Sequence, residues 1–225
     1  LAFLGHVTHT YHNLLEIPKD IDLVIFSGDC SHPRDPYTNE SEVRNFIDWF
    51  SSLPIKHKVF VAGNHDTSIE KGLVTKEVFD GECIHYLEND HVTIEGIKIF
   101  GSPLTPDFGN GWAFNKARHK LDRIWSNIID TDSDIIVTHE PPRGILDLGI
   151  DRNHKIEFCG CKSLWNVVKS INPSLVLFGH IHNCDSAINA GTRTVFGLST
   201  IFSNGSVVTD GKFGKLSSNG NILVI

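Results

Sequence analysis

The chain has 225 residues, 40% hydrophobic and 21% charged, values that fit a globular protein able to bury a sizeable core. Its formal net charge of −7 argues against a sequence-independent nucleic-acid binder, which needs a strong basic surface. The five cysteines (Cys30, Cys83, Cys159, Cys161 and Cys184) match no disulfide framework, as expected of reduced thiols in a cytoplasmic protein.

No apolar run has the length of a membrane-spanning helix, and Leu1–Leu4 reads as a first strand rather than a signal peptide. Leu23–Ser27 is a second strand, rich in β-branched and aromatic residues and closed by Gly28. A helix is expected over 41–53. Val43, Phe46, Ile47 and Phe50 share one face, Ser41 is the expected N-cap and Pro54 the stop. Lys58–Ala62 is a third strand. His91–Ile94 and Ile97–Phe100 flank Glu95-Gly96 as a hairpin. Residues 102–115 form a long loop rich in Gly, Pro and aromatics, a kind of segment that tends to carry function. Leu121, Ile124, Trp125, Ile128 and Ile129 mark a second helix. Ile135–Thr138 is a strand. Leu164, Val167, Val168 and Ile171 mark a third helix, stopped by Asn172-Pro173. Leu175–Phe178 is a further strand, and the tail from Thr192 reads as strands with Gly-containing turns. Alternating strands and helices place the chain in the α/β class, and no repeat divides it, so residues 1–225 are expected to form a single domain.

Four of these strands run directly into Asp29, Asn64, His139 and His180. Ligands of open α/β sheets bind beyond the carboxyl ends of strands, and packing does not explain four such residues delivered to one edge. Carboxylate, amide and imidazole together suit divalent Mn, Fe, Zn or Ni. His180 and His182 are two apart, so in extended chain both would face one site. A carboxylate can bridge two ions, and such a pair can clamp the attacking and leaving oxygens of a phosphoryl displacement.

The order Gly28-Asp29, Gly63-Asn64-His65-Asp66, His139, Gly179-His180-Ile181-His182 resembles the signature of the calcineurin-like metallophosphoesterases. Within that family the chain is similar to the small metallophosphoesterase-domain-containing branch with brain-expressed members. That similarity rests on Asp48-Trp49, Ala62 to His65, Gly101 to Pro106, Gly111 to Asn115 and Thr138 to Pro142. The resemblance implies a four-layer αββα sandwich of two mixed β-sheets and a dinuclear metal centre. Asp29 would bridge the two ions, His9 and His182 would serve the first, and Asn64, His139 and His180 the second. His65, held by Asp66, would assist the leaving oxygen, and a metal-bound hydroxide would attack a phosphodiester. Nucleotide-type diesters, cyclic ones included, are the implied substrates. Asn115 and Arg143 are candidates for binding substrate, and Trp112 and Phe114 for stacking a base. His12 and His32 read as exposed loop residues, and Cys30 as a small buried one.

The chain departs from the family at the first motif, where Val7 stands in place of a ligand Asp. The second ion is therefore expected to bind more tightly than the first. Only a strand bulge would turn the neighbouring His6 into the site. Two other readings remain open: a phosphomonoesterase or protein phosphatase, and a catalytically degenerate scaffold module.

Overall fold

Apolar strands alternate with amphipathic helices, and the protein stacks them in four layers. The computed structural model describes residues 1–5, 11–32, 35–150, 155–184, 187–209 and 215–224. His6, Val7 and His9 lie outside the described residues. The strands are β1 (Ala2–Leu4), β2 (Leu23–Ser27), β3 (His57–Val61), β4 (His85–Tyr86), β5 (Asp90–Ile94), β6 (Ile97–Ser102), β7 (Thr105–Pro106), β8 (Asn115–Lys116), β9 (Ile135–Thr138), β10 (Leu148–Ile150), β11 (Ile156–Phe158), β12 (Leu175–Phe178), β13 (Gly191–Thr194), β14 (Ile201–Asn204) and β15 (Asn221–Ile222). The helices are α1 (Pro36–Ser52), α2 (Thr67–Glu70), α3 (Lys76–Gly81), α4 (Arg118–Ile128) and α5 (Lys162–Ile171).

One sheet has the order β15-β1-β2-β3-β4, parallel except for β15. The other has the order β13-β14-β12-β9-β6-β5, parallel except at its two edge strands. Both are thus mixed, as expected. Period-two alternation sorts their residues into separate cores. Val24, Phe26 and Phe60 pack against α1, whereas Leu23, Ile25, Val59 and Val61 face the opposite sheet. In the second sheet, Ile136, Val176 and Phe178 pack with α4 and α5, and Ile135, Val137, Leu175 and Leu177 face the first. Three cores separate four layers.

α1 buries Val43, Phe46, Ile47 and Phe50, each stabilising by roughly 1.5–3 kcal/mol. It begins a turn and a half earlier than the sequence suggested. Asp35, rather than Ser41, is the N-cap: its Oδ1 accepts from the backbone N of Tyr37 at 3.0 Å and Thr38 at 3.2 Å, with Pro36 opening the helix. Ser41 sits inside the helix and donates back to the Thr38 carbonyl. The α5 stop falls where expected, because Asn172 takes a left-handed φ of 51° and its N–H caps Val168. The sequence reading missed the short helices α2 and α3 and the β10–β11 hairpin. The expected long loop is closed by pairing of β7 with β8.

Candidate metal centre

β2 ends in a turn that no ordinary extended chain would make. Gly28 has φ 97° and Asp29 φ 62°. A left-handed non-glycine residue is strained, and such strain persists only where its surroundings hold it. Here Asp66 holds it. Its Oδ2 accepts from the backbone N of Asp29 at 3.0 Å and of Gly63 at 2.7 Å. Its Oδ1 accepts from the backbone N of Cys30 at 3.1 Å and of Ser31 at 3.2 Å, and from Ser31 Oγ at 2.7 Å. Burial and the neighbouring Asp29 charge push the Asp66 carboxyl up, while Ser31 and Gly63 oppose the shift. Asp66 therefore braces the β2 loop against the β3 loop. This corrects the expectation that it holds the His65 ring. That ring reaches the His32 carbonyl instead, Nδ1 to O 3.3 Å, and lies against His32 and Trp112 at centroid distances of 5.6 and 4.6 Å.

The braced loops bring donor atoms from both sheets together. His139 Nε2 lies 2.9 Å from Asn64 Oδ1 and 3.2 Å from Asp29 Oδ2. Its Nδ1 lies 2.6 Å from the Ser27 carbonyl oxygen, so that nitrogen carries the ring's proton. A neutral His139 then points a lone pair at two further acceptor oxygens. Such a cluster needs a cation at its centre: either a second ring proton or a metal ion. Burial alone would lower the His139 pKa, yet the Asp29 charge and hydrogen bonds to Asp29 and Ser27 raise it overall. The donor set thus fits an ion. Gly63 is confined to glycine here, because a Cβ would stand 2.3 Å from Asp29 Oδ1 and 2.7 Å from His139 Cε1.

His180 joins the cluster from β12. Ligand atoms of Asp29, His139 and His180 all lie within 4.8 Å of one another. The residue has φ 64°, so the extended-chain argument for a shared face with His182 does not hold. Burial first, and then the neighbouring His139, drive the His180 pKa well down, which favours the neutral ring a metal requires. Among the described residues, His182 is not part of that triad; its carbonyl is held by Asn189 Nδ2 at 2.6 Å.

Other candidates have structural tasks. Asn115 Nδ2 ties Thr105 Oγ1 at 2.7 Å and the Ala113 carbonyl at 3.0 Å. Arg143 Nη1 donates to the Phe158 carbonyl at 2.6 Å, fastening the hairpin base. Phe114 is buried in the α1 core and cannot stack a ligand. His12 is buried rather than exposed, 3.1 Å from Asn45 Oδ1. Cys30 is buried, as expected, with Sγ 3.3 Å from Asp66 Oδ1. The sequence reading missed Phe108, a half-exposed ring 5.3 Å from the His180 ring and 5.6 Å from Trp112. It also passed over Glu140, buried behind His180. The Gly-flanked loop was a signal for the first, whereas nothing in the sequence separated the second from an ordinary turn.

A model of the calcineurin-like phosphoesterase family matches residues 5–184. Human metallophosphoesterase domain-containing protein 1 is 32% identical over 212 residues, covering 83% of this chain and 62% of that protein. A Caenorhabditis elegans UPF0046 protein is 30% identical over 203 residues, covering 83% of this chain and 65% of its own. The chain therefore spans less than two thirds of the length of these relatives. The structure of a Mycobacterium tuberculosis phosphopantetheinyl hydrolase superposes with a TM-score of 0.55 at 14% identity, over 92% of this chain and 89% of that one, a likeness of fold.

Proposed function

The chain belongs to the calcineurin-like phosphoesterase family, and on that premise we propose that it is a metal-dependent hydrolase of phosphodiesters, nucleotide-type ones in particular. One observation carries the reading: a buried imidazole nitrogen, an amide oxygen and a carboxylate from both sheets converge on one point that calls for a cation. Asp29, Asn64, His139 and His180 would hold one divalent ion. Asp29 and His182 would reach a second, weaker one, with His9 completing it. Bound ions supply positive charge to the phosphate oxygens and lower the pKa of a water.

The protein's own groups do the rest. His65 stands on the rim, partly exposed, with its Nδ1 directed to the His32 carbonyl. That contact uses the Nδ1 proton and leaves Nε2 as the nitrogen from which the imidazolium would pass its second proton to a departing oxygen. Stacking on His32 and a tilted contact with Trp112 hold the ring, and an oriented histidine of this kind is typically worth 10²–10⁴ in rate. Phe108 and Trp112 offer aromatic faces beside His180 and His65, which supports a substrate bearing a planar base. All five cysteines stand as free thiols, which supports a reducing, cytoplasmic setting. No described helix is long and apolar enough to cross a membrane.

Hydrolysis of bis-p-nitrophenyl phosphate by metal-stripped protein, titrated with Mn²⁺, tests the proposal. Turnover that appears with metal and collapses in His65→Ala supports it. Turnover of mono-p-nitrophenyl phosphate alone replaces it with a phosphomonoesterase, and no turnover of either ester replaces it with a binding module.

A further inference from the structure

Glu140 follows His139 directly and is 2% exposed, yet no helix, strand ladder or turn uses its side chain. One oxygen, Oε2, lies 3.8 Å from His180 Nε2. The other, Oε1, is buried without a hydrogen-bond partner among the described residues. A buried carboxyl left this way normally destabilises a fold. Burial pushes the Glu140 carboxyl well up; among the described residues Arg118, at the exposed start of α4, opposes that shift and the nearby Asp147 carboxylate adds to it. Asp147 likewise buries an oxygen, Oδ1, without a partner. Among the described residues, no hydrogen bond offsets the burial of Oε1. A positive charge at the Asp29, His139, His180 cluster would.

We infer that Glu140 is a positioning residue for the metal centre: it orients the His180 ring through Nε2 and, with an ion bound, adds a negative charge behind it. The inference rests on the metal reading of the site given above. An imidazole that binds an ion through one nitrogen leaves the other N–H to a carboxylate, which fixes the ring and strengthens it as a ligand. With Nε2 turned to Glu140, Nδ1 is the nitrogen left for the ion.

Two variants test this. Glu140→Gln keeps the shape and removes the charge; Glu140→Leu removes charge and polarity together. Mn²⁺ binding is read by equilibrium dialysis, and the melting temperature of the metal-stripped protein is read alongside. Both variants should weaken Mn²⁺ binding about tenfold. Neither should lower the metal-stripped melting temperature, because the carboxyl has no partner to lose. Unchanged Mn²⁺ affinity in both variants overturns the inference, as does a metal-stripped melting temperature that falls in both. Failure of the parent protein to bind Mn²⁺ overturns the metal reading itself, and so can be told apart from either of these.

Discussion

Asp66 and Glu140 are both carboxyl groups buried beside the same cluster, one in the loop after β3 and one in the loop after β9, and they are used in opposite ways. Asp66 accepts from four backbone N–H groups and a hydroxyl. Glu140 has one oxygen near an imidazole and one with no partner among the described residues. The loops after β2 and β3 are thus locked together before any ion is present. The second sheet arrives with an electrostatic debt on its side of the cluster. Burial alone says little about what a charged residue does; its partners decide whether it is architecture or a place kept for something else.

That contrast can be broken most severely at Asp66. Asp66→Ala strands four backbone donors and should cost about 3–5 kcal/mol of stability, with loss of metal binding, measured by urea unfolding and metal content. Asp66→Asn should cost less, because its Oδ1 can still serve one side of the brace. A variant as stable as the parent would show that the loops hold themselves. Next in size is His65→Ala, expected to lower kcat by 10²–10⁴ with Mn²⁺ stoichiometry intact; equal turnover would remove the acid role. Asn64→Ala should leave folding intact and weaken metal binding roughly 10–100-fold, as read by dialysis, and retained affinity would exclude its amide from the cluster.

The smallest effect is expected from a third carboxylate, which has partners but no burial. Asp130 accepts from Lys98 at 2.8 Å and lies against His91, and the Lys98 bond, with help from His91, holds it down to about 2. A depressed carboxylate stabilises above its unfolded value near pH 3.9, and that contribution is lost as pH falls through the folded one. Asp130→Asn should therefore lower the melting temperature by at most about 2 °C at pH 7, with the difference shrinking to nothing as pH falls below 2. A larger drop would mean that an exposed pair can rival a buried one.

Much of this layout could be read in the sequence, because strand cores and the residues closing them are local signals. Leu23–Ser27, Ile135–Thr138 and Leu175–Phe178 appear with the boundaries their apolar runs suggest, and Asp29, Asn64, His139 and His180 follow their strands to one edge. The partners of those residues were harder to read. Asp66 sits next to His65 in the chain, yet its oxygens serve Asp29 to Ser31, more than thirty residues away, a pairing that only the packing of two loops creates. The start of α1 was missed because Ser41 and Asp35 are both good N-caps, and the proline after Asp35 decided between them. His12 looked like a loop residue because burial by Trp49 and Phe46, from a helix over thirty residues later, leaves no periodic mark.

The bond from His139 Nδ1 to the Ser27 carbonyl fastens one sheet to the other at the very point where the ligands meet. An ion seated there acts as a rivet through both layers, so occupancy becomes part of what keeps the sandwich closed. At a free ion concentration a hundred times the dissociation constant, that linkage adds about 2.7 kcal/mol to the folded state. A chain starved of metal would lose that increment and rest on the apolar core between the sheets alone, spending more time unfolded and open to proteases. The amount of this protein in a cell would then rise and fall with the supply of its ion.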